Sequence, residues 1–277
     1  MNYPLDVGGV DDYAIKVGSM LLTLVDPSKG YERAYNRWYE RDHFYAGCMI
    51  GPFLFAGSRW VATRELKDLR WPKGDTTIAN PIDAGSYVAI YWVEKGHHEE
   101  HFGEWARPQV RDLYAQGRGF AERKHVHTVL FDHLGAVYRD PDDVAVPVEL
   151  ALDHGYDGLV AAWFDARGTD ARGFHEKVSK ELLPELMQGS GIEIASTWTP
   201  SAGENDEKDV PMDLGSRAGG PERACQLFFV SGDVRDTLDR FHRYADGIGK
   251  QGLGDVHLVA PFFRTVIGTD KYVDELW

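Results

Sequence analysis

The chain has 277 residues, of which 44 are acidic and 30 basic, and its formal net charge is −14. Such an acidic surface repels phosphate backbones and anionic lipids, which excludes nucleic acid and membrane surfaces as expected partners. No apolar run approaches the ~20 residues that cross a bilayer, and the N-terminus lacks the basic and apolar regions of a signal peptide. The two cysteines form no zinc pattern, so we expect a cytoplasmic protein with reduced thiols.

In the first half, hydrophobic patterns predict strands and helices in the order β-α-β-β-α-β, after a polar lead-in over residues 1–16. Gly51-Pro52 and Gly117 are typical stop signals for the two helices. This order is that of the split ferredoxin-like unit. The expected strands cover residues 19–25, 53–63, 86–93 and 124–131, and the expected helices cover residues 31–45 and 97–116.

The same order returns in the second half. If Tyr35 is aligned with Phe174 without gaps, His43 falls opposite Leu182. We interpret this as an internal duplication in which only the first copy keeps the imidazole; the alternative is a chance alignment of two amphipathic helices. The expected strands cover residues 158–164, 192–199, 225–230 and 256–266, with helices at 170–187 and 233–248 and a glycine-rich, mobile loop at 200–221.

The stretch Tyr35-Asn-Arg-Trp-Tyr-Glu-Arg-Asp-His43 places aromatic rings, a carboxylate and a histidine on neighbouring turns of one helix. Together with Gly51-Pro-Phe-Leu-Phe-Ala-Gly-Ser-Arg-Trp60, it resembles the EthD-like branch of the dimeric α+β barrel superfamily. That resemblance implies an α+β fold of two ferredoxin-like βαββαβ repeats packed as a barrel within one chain. The family pattern has proline two residues after the histidine, where this chain has Tyr45.

Two domains are therefore predicted. Residues 1–149 form a first repeat that carries the active site, and residues 150–277 form a second, mainly structural repeat. The resemblance also implies a pocket between sheet and helices, and an activity among the lyases, isomerases, cyclases, cofactor-free monooxygenases and haem proteins of the superfamily.

His43 is the main candidate for chemistry because a histidine titrates near neutral pH and can accept or donate a proton. The alternative is a helix-end histidine that caps carbonyl groups. We expect a cofactor-independent enzyme that acts on a small aromatic or polyketide-like compound by histidine-based acid/base chemistry, as a lyase, isomerase or cyclase. No metal is expected. The expected catalytic residues are His43, Tyr39, Asp42 and His127.

Substrate contacts are expected from residues on the strands and on the first helix. His125 and His127 stand two residues apart on one strand, which predicts that both face the same side, towards the pocket or towards solvent. Arg59 and Trp60 point to opposite faces of their strand, so one of them should reach the pocket. The expected substrate-binding residues are Arg59, Trp38, His125, Tyr91 and Trp60.

Other histidines leave alternatives open. The run His97-His98-Glu-Glu-His101 lacks the His-Glu-x-x-His order of zinc enzymes, which favours a solvated helix start. A haem protein would draw its ligand from His257, His242 or His127. A cofactor-free monooxygenase and a non-catalytic small-molecule-binding stress protein are further alternatives, and the sequence leaves a homodimer open. Nucleotide-binding glycine motifs and the serine-hydrolase elbow are absent from the sequence.

Overall fold

The computed structural model describes residues 14–74, 76–202 and 212–277. Most of the predicted lead-in over 1–16 and the middle of the predicted loop at 200–221 lie outside these residues. These described residues form helices and eight antiparallel strands, which confirms the predicted α+β class. The strands are β1 (Val17–Pro27), β2 (Leu54–Val61), β3 (Tyr87–Glu94), β4 (Arg123–Tyr138), β5 (Gly158–Ala166), β6 (Ile192–Pro200), β7 (Arg223–Val230) and β8 (Gly254–Arg264).

The helices differ in winding from the predicted regular α-helices. The first predicted helix begins as an α-helix and continues as two π-helical segments, and the second begins as a π-helical segment. None of the described helices is long and apolar enough to cross a membrane. The α-helices are α1 (Glu32–Trp38), α2 (Arg64–Asp68), α3 (Arg107–Ala115), α4 (Ala171–Val178), α5 (Leu182–Met187) and α6 (Leu238–Lys250), and the π-helical segments are Tyr39–His43, Tyr45–Met49 and Glu99–Ala106.

The strands close into a barrel in the order β1-β3-β2-β8-β5-β7-β6-β4. The first half therefore runs β4-β1-β3-β2 and the second runs β8-β5-β7-β6, which is the same order of strands. The two halves meet at two seams of unequal length. β2 pairs with β8 at only two positions, whereas β4 has 16 residues and is long enough to pair first with β1 and then with β6.

Alternation along β3 divides its side chains between the barrel interior and the helical layer, as its sequence predicts. Trp92 contacts Trp198 and Phe229, with ring centroids 5.8 and 6.0 Å apart. Because β3 is not a neighbour of β6 or β7 in the sheet, these contacts cross the barrel interior. Tyr87 and Tyr91 belong instead to the cluster under the first-half helices.

The C-terminal segment after β8 returns to the first half and fixes helix α1. Asp270 forms ion pairs with Arg33 and Arg37, at 2.7 and 2.6 Å. The Asn36 amide donates a hydrogen bond to the carbonyl oxygen of Thr269 at 2.9 Å. The position of the helix that leads to His43 therefore depends on residues more than 200 positions away in the sequence.

Candidate functional site

A cavity of about 150 Å³ lies in the first half, between the outer face of the sheet and the helical layer. An apolar cavity of this volume holds benzene in another protein, so the space suits a molecule of one or two rings. Among the described residues that line it, none is a carboxylate. The wall consists of Leu21, Thr23, Tyr39, His43, Gly47, Cys48, Leu54, Tyr91, His101, Phe102, Ala106, Arg107, Val110, Arg123, His125, Thr128, Val129, Leu130, Met212 and Leu214.

The helical wall of the cavity is wound as a π-helix. The backbone N–H of Phe44 donates to the carbonyl of Tyr39, and that of Ile50 donates to Tyr45, five residues back in each case. Segments of this kind are rare and often occur at functional sites. Each π turn accommodates an extra residue in the helix, and the three segments supply His43, Cys48 and most of the other helical side chains of the wall.

His43 lies on the cavity wall between two aromatic rings. Its ring stacks on Trp38 at 4.6 Å between centroids and meets Tyr39 edge-on at 5.1 Å. Burial first, and then the nearby Arg123 and His125, lower the pKa of His43 to about 3. The imidazole is therefore neutral at physiological pH. Across the described part of the chain, neither ring nitrogen makes a hydrogen bond.

His125 faces the same cavity from strand β4. Its Nδ1 atom lies 2.7 Å from the Thr128 hydroxyl and 3.3 Å from the Thr23 hydroxyl, and these two hydroxyls are 2.8 Å apart. Its Nε2 atom is buried without a hydrogen-bond partner. Burial, and then the charge of Arg123, lowers the pKa of His125 to about 3.

Arg123 supplies positive charge at the cavity and was not among the predicted site residues. Its guanidinium lies 4.7 Å from the centre of the Trp38 ring and donates to the Tyr114 hydroxyl at 2.7 Å. It opposes the protonation of His43 and His125, as the lowered pKa of each imidazole shows. With no carboxylate among the described wall residues, the cavity favours neutral or anionic ligands.

His101 also reaches the cavity, although its sequence context favoured a solvated helix start. The residue is 1% exposed. Its Nδ1 atom lies 2.7 Å from the carbonyl oxygen of Pro52. A carbonyl only accepts, so Nδ1 carries the proton and Nε2 carries the lone pair. The signal in the sequence was its i, i+4 spacing from His97, which marks a shared helix face but not the side that is buried.

Tyr39 and Tyr91, both predicted site residues, meet at the floor of the cavity. Their hydroxyls are 2.7 Å apart. Burial raises the pKa of both tyrosines far above the ordinary value, and it raises the pKa of the neighbouring Cys48 thiol to about 12. All three groups remain protonated at physiological pH, so they act as hydrogen-bonding groups and not as bases.

The structure corrects the role expected for Asp42. Its carboxylate is held by Arg118 through two hydrogen bonds, one of them 3.1 Å from Nε, and it makes no hydrogen bond to His43 within the described residues. The Arg118 guanidinium lowers the pKa of Asp42. Trp38 does not line the cavity; it supports the ring of His43 from outside and donates its indole N–H to the Arg118 carbonyl at 2.9 Å.

Arg59 and Trp60 both lie outside the cavity. The Arg59 guanidinium packs over Tyr39 at 4.2 Å and donates to the Asn36 side chain at 3.1 Å, which ties the helical layer to the sheet. Trp60 is fully buried in the barrel interior, where its ring approaches Phe229. The expectation that one of the two lines the pocket is therefore wrong.

His127 is separated from His125 by a β-bulge. Leu24 pairs with His127 whereas Val25 pairs with His125, so Val126 is an extra residue in strand β4. An extra residue reverses the alternation of side chains. His127 consequently points into the barrel interior, with its Nδ1 atom 2.7 Å from the Ser216 hydroxyl. The prediction that both histidines face one side is wrong.

The histidines considered as haem ligands are not grouped around a cavity. His257 contacts Asp165 through Nε2 at 2.7 Å and Thr77 through Nδ1 at 3.0 Å. His242 packs edge-on against Trp71 on helix α6. Within the described ranges, no cluster of three or more histidine, cysteine or acidic side chains suits a metal ion.

No family model and no curated protein matches the chain. Three solved structures share its fold. An anthrone oxidase-like protein aligns with TM-score 0.53 and 8% identity over 92% of this chain and 95% of its own. A candidate chlorite dismutase aligns with TM-score 0.51 and 10% identity over 95% and 100%. A candidate monooxygenase from Fusobacterium nucleatum aligns with TM-score 0.50 and 12% identity over 91% and 94%.

The likeness to these three structures shows that the chain shares their α+β fold. The superfamily, the EthD-like branch and the internal duplication stay predictions. At such low identities the likeness shows the fold alone, so the chemistry of the site has to be argued from its own residues.

Proposed function

We propose that the cavity binds a one- or two-ring aromatic or polyketide-like molecule and that His43 takes a proton from an acidic C–H or O–H group of that molecule. The observation that supports this most directly is the state of the imidazole. It is neutral, it lies on an apolar wall, and neither of its nitrogens is engaged by another described residue.

A histidine with a pKa of about 3 is a weak base while the cavity is empty. Proton transfer changes its surroundings, because the ligand becomes an anion beside the new imidazolium, and an opposite charge nearby favours the charged form. The face of Trp38 stabilises the cation, and Arg123 stabilises the enolate or phenolate oxygen. The transfer therefore depends on a bound ligand whose negative charge develops near Arg123.

The fate of the anion decides the reaction class. Return of the proton to another carbon gives isomerisation, loss of a leaving group gives a lyase reaction, and attack on a carbonyl of the same molecule gives cyclisation. An oxygenase is the alternative that the names of two fold neighbours suggest. In that case O₂ converts a CH₂ group into a carbonyl, and its second oxygen atom leaves as water.

Haem is the remaining cofactor alternative, and the described residues do not fit it. A porphyrin is much larger than the one- or two-ring molecule that a cavity of about 150 Å³ accommodates. His257 has both nitrogens engaged, and His127 is enclosed in the barrel interior. A Soret band in the purified protein would contradict this.

The duplication, the EthD-like branch, the two-domain division, a cytoplasmic location and a homodimer belong to the same proposal. The repeated strand order supports the duplication. Its functional consequence is that residues 1–149 provide most of the cavity wall, while residues 150–277 contribute Met212 and Leu214 and otherwise support the site.

The test is deuterium exchange into one- and two-ring enolisable ketones, beginning with 2-tetralone, followed by proton NMR in D₂O. The wild-type protein should accelerate exchange over buffer, and His43→Gln should reduce that acceleration by roughly 10²–10⁴-fold. His242→Gln, on helix α6 in the second half, is the matched control and should leave the rate unchanged. Full exchange by a folded His43→Gln protein would contradict the proposal that His43 takes the proton.

An oxygen electrode in the same reactions separates the reaction classes. Oxygen uptake that requires both substrate and His43 would favour the oxygenase, whereas exchange without uptake would favour isomerase, lyase or cyclase chemistry. Binding of the ketone with neither exchange nor uptake would leave a non-catalytic binding protein.

A further inference from the structure

The hydrogen bonds around His125 determine which of its nitrogens carries the proton. Nδ1, the Thr128 hydroxyl and the Thr23 hydroxyl form a closed group of three polar atoms, with separations of 2.7, 2.8 and 3.3 Å. No other hydrogen-bond partner of the two hydroxyls lies within the described residues. Each hydroxyl has one proton to donate, so the donors and acceptors of this group can be counted for each tautomer of His125.

If Nδ1 is unprotonated, Thr23 donates to Thr128 and Thr128 donates to Nδ1, so both hydroxyl protons are used. If Nδ1 carries the proton, it donates to Thr128 and Thr128 donates to Thr23, which leaves the Thr23 proton without an acceptor. Thr23 is 6% exposed, and a buried donor without a partner is costly. The first arrangement leaves one buried group unpaired, the Nε2–H, whereas the second leaves two, the Thr23 hydroxyl proton and the Nε2 lone pair. The first arrangement is therefore favoured, and it places the proton on Nε2.

Nε2 lies on the side of the ring away from the two threonines, in a residue that lines the cavity. It is buried and has no partner. An N–H group in this state gains a hydrogen bond when an oxygen atom enters the cavity.

We infer that His125 presents an Nε2–H donor to the cavity, fixed by Thr128 and Thr23, and that it selects ligands with a carbonyl or phenolate oxygen over hydrocarbons of the same shape. This inference deepens the proposed function, because it names the group that holds the oxygen on which charge develops. His43 removes the proton, and His125 with Arg123 holds the oxygen. His101, with its lone pair on Nε2, offers the complementary acceptor for a ligand hydroxyl.

The first test is the tautomer itself, in protein labelled with ¹⁵N-histidine and free of ligand. Long-range ¹H–¹⁵N spectra, with His125→Phe used for assignment, should show His125 protonated at Nε2 and not at Nδ1. Thr128→Val removes the hydroxyl that donates to Nδ1 and should shift His125 towards a mixture of tautomers. A wild-type His125 protonated at Nδ1, or at both nitrogens, would overturn the inference.

The second test compares 2-tetralone with tetralin, which has the same two rings without the carbonyl. Wild-type protein should bind the ketone at least about ten-fold more tightly, the size expected for one satisfied buried hydrogen bond. His125→Phe should abolish the preference, and Thr128→Val should reduce it. A preference that persists in a folded His125→Phe protein would contradict the inference.

Failure here is distinguishable from failure of the proposed function. His43→Gln should lose deuterium exchange yet keep the preference for the ketone and the His125 tautomer. If the wild-type protein prefers 2-tetralone to tetralin but does not accelerate exchange, proton abstraction by His43 is refuted and the inference about His125 stands. If exchange is accelerated but His125 is protonated at Nδ1, the inference about His125 is refuted and proton abstraction by His43 stands.

Discussion

A cavity separates the sheet from the helices in the first half of the molecule, whereas aromatic rings fill that space in the second half, where a pocket of about 580 Å³ lies instead between helices α5 and α6. The first-half cavity has a volume of about 150 Å³. In the second half, rings from strands β5 and β7 meet rings from helices α4 and α6, with Phe164 against Phe174 at 5.5 Å and Phe228 against Phe241 at 4.8 Å. The same strand order can therefore leave a cavity between sheet and helices or be covered there by close aromatic packing, depending on side-chain volume and helix winding.

The polar side chains beneath helix α6 in the second half and the two cavity histidines of the first half differ in the same way. In the second half, the Tyr244 hydroxyl donates to Gln226 at 2.8 Å, and the Gln226 amide donates to Thr197 at 3.2 Å. In the first half, Nε2 of His125 has no partner and His43 makes no hydrogen bond among the described residues. Polar atoms without hydrogen-bond partners around a cavity indicate a ligand site, whereas polar side chains that satisfy one another indicate a structural role.

Phe174→Ala should have the largest effect on stability, because it opens a cavity where the second-half sheet and helix α4 pack directly against each other. The expected loss in free energy of unfolding is about 3–5 kcal/mol. Val110→Ala, in the wall of the existing cavity, should cost much less, since its side chain already faces open space. Urea unfolding of the two variants measures the difference, and equal losses would contradict it.

Acid should destabilise the protein through its buried histidines. The pKa of His43, His125 and His127 is lowered to about 3 and that of His133 to about 4, in each case chiefly by burial. The unfolded chain, with histidine pKa values near 6.5, binds more protons between these values. The stabilisation is therefore complete above about pH 6.5 and lost as the pH falls, by at most about 1.4 kcal/mol per pH unit for each histidine.

Chemical denaturation at a series of pH values tests this dependence. His127→Gln keeps a polar side chain in the barrel interior and removes one titrating group, so its stability should fall less steeply between pH 6.5 and pH 4. A variant slope identical to that of the wild type would show that His127 does not contribute.

Filling the cavity should make the first half resemble the second. Ala106→Phe places a ring in the wall contributed by the last π-helical segment, and the affinity for 2-tetralone should fall at least about ten-fold, or about 1.4 kcal/mol. Ala115→Phe, at the exposed end of helix α3, is the matched control and should leave binding unchanged. Calorimetric titration gives both values; unchanged affinity in Ala106→Phe would place the ligand elsewhere.

The smallest expected effect on stability, with a specific effect on activity, comes from a single methyl group at Gly47. A Cβ atom there would stand 2.8 Å from Nδ1 of His43, so Gly47→Ala should displace the imidazole and slow deuterium exchange several-fold. Gly249 in helix α6 has open space around it, and Gly249→Ala should raise stability by about 0.5–1 kcal/mol without changing exchange. Equal rates in both variants would contradict the position assigned to His43.

The sequence by itself determined the α+β class, the order of the strands along the chain and the two faces of β3, because each depends on a local period of hydrophobic residues. The predicted site residues included four that line the cavity, His43, Tyr39, Tyr91 and His125. Helix spacing placed Tyr39 near His43, and the family resemblance implied the pocket between sheet and helices that the other two residues reach. For the features that depend on a local pattern, the residues that decide the structure are close together in the chain.

Only the tertiary structure decided the rest of the site. The bulge at Val126 separates His127 from the cavity, and the π winding brings Cys48 and His101 into it. Asp42 pairs with Arg118, 76 residues away. Bulges, π turns and such pairings are settled by packing between segments distant in the chain, and the free-energy differences among their alternatives are too small for local propensity to determine them.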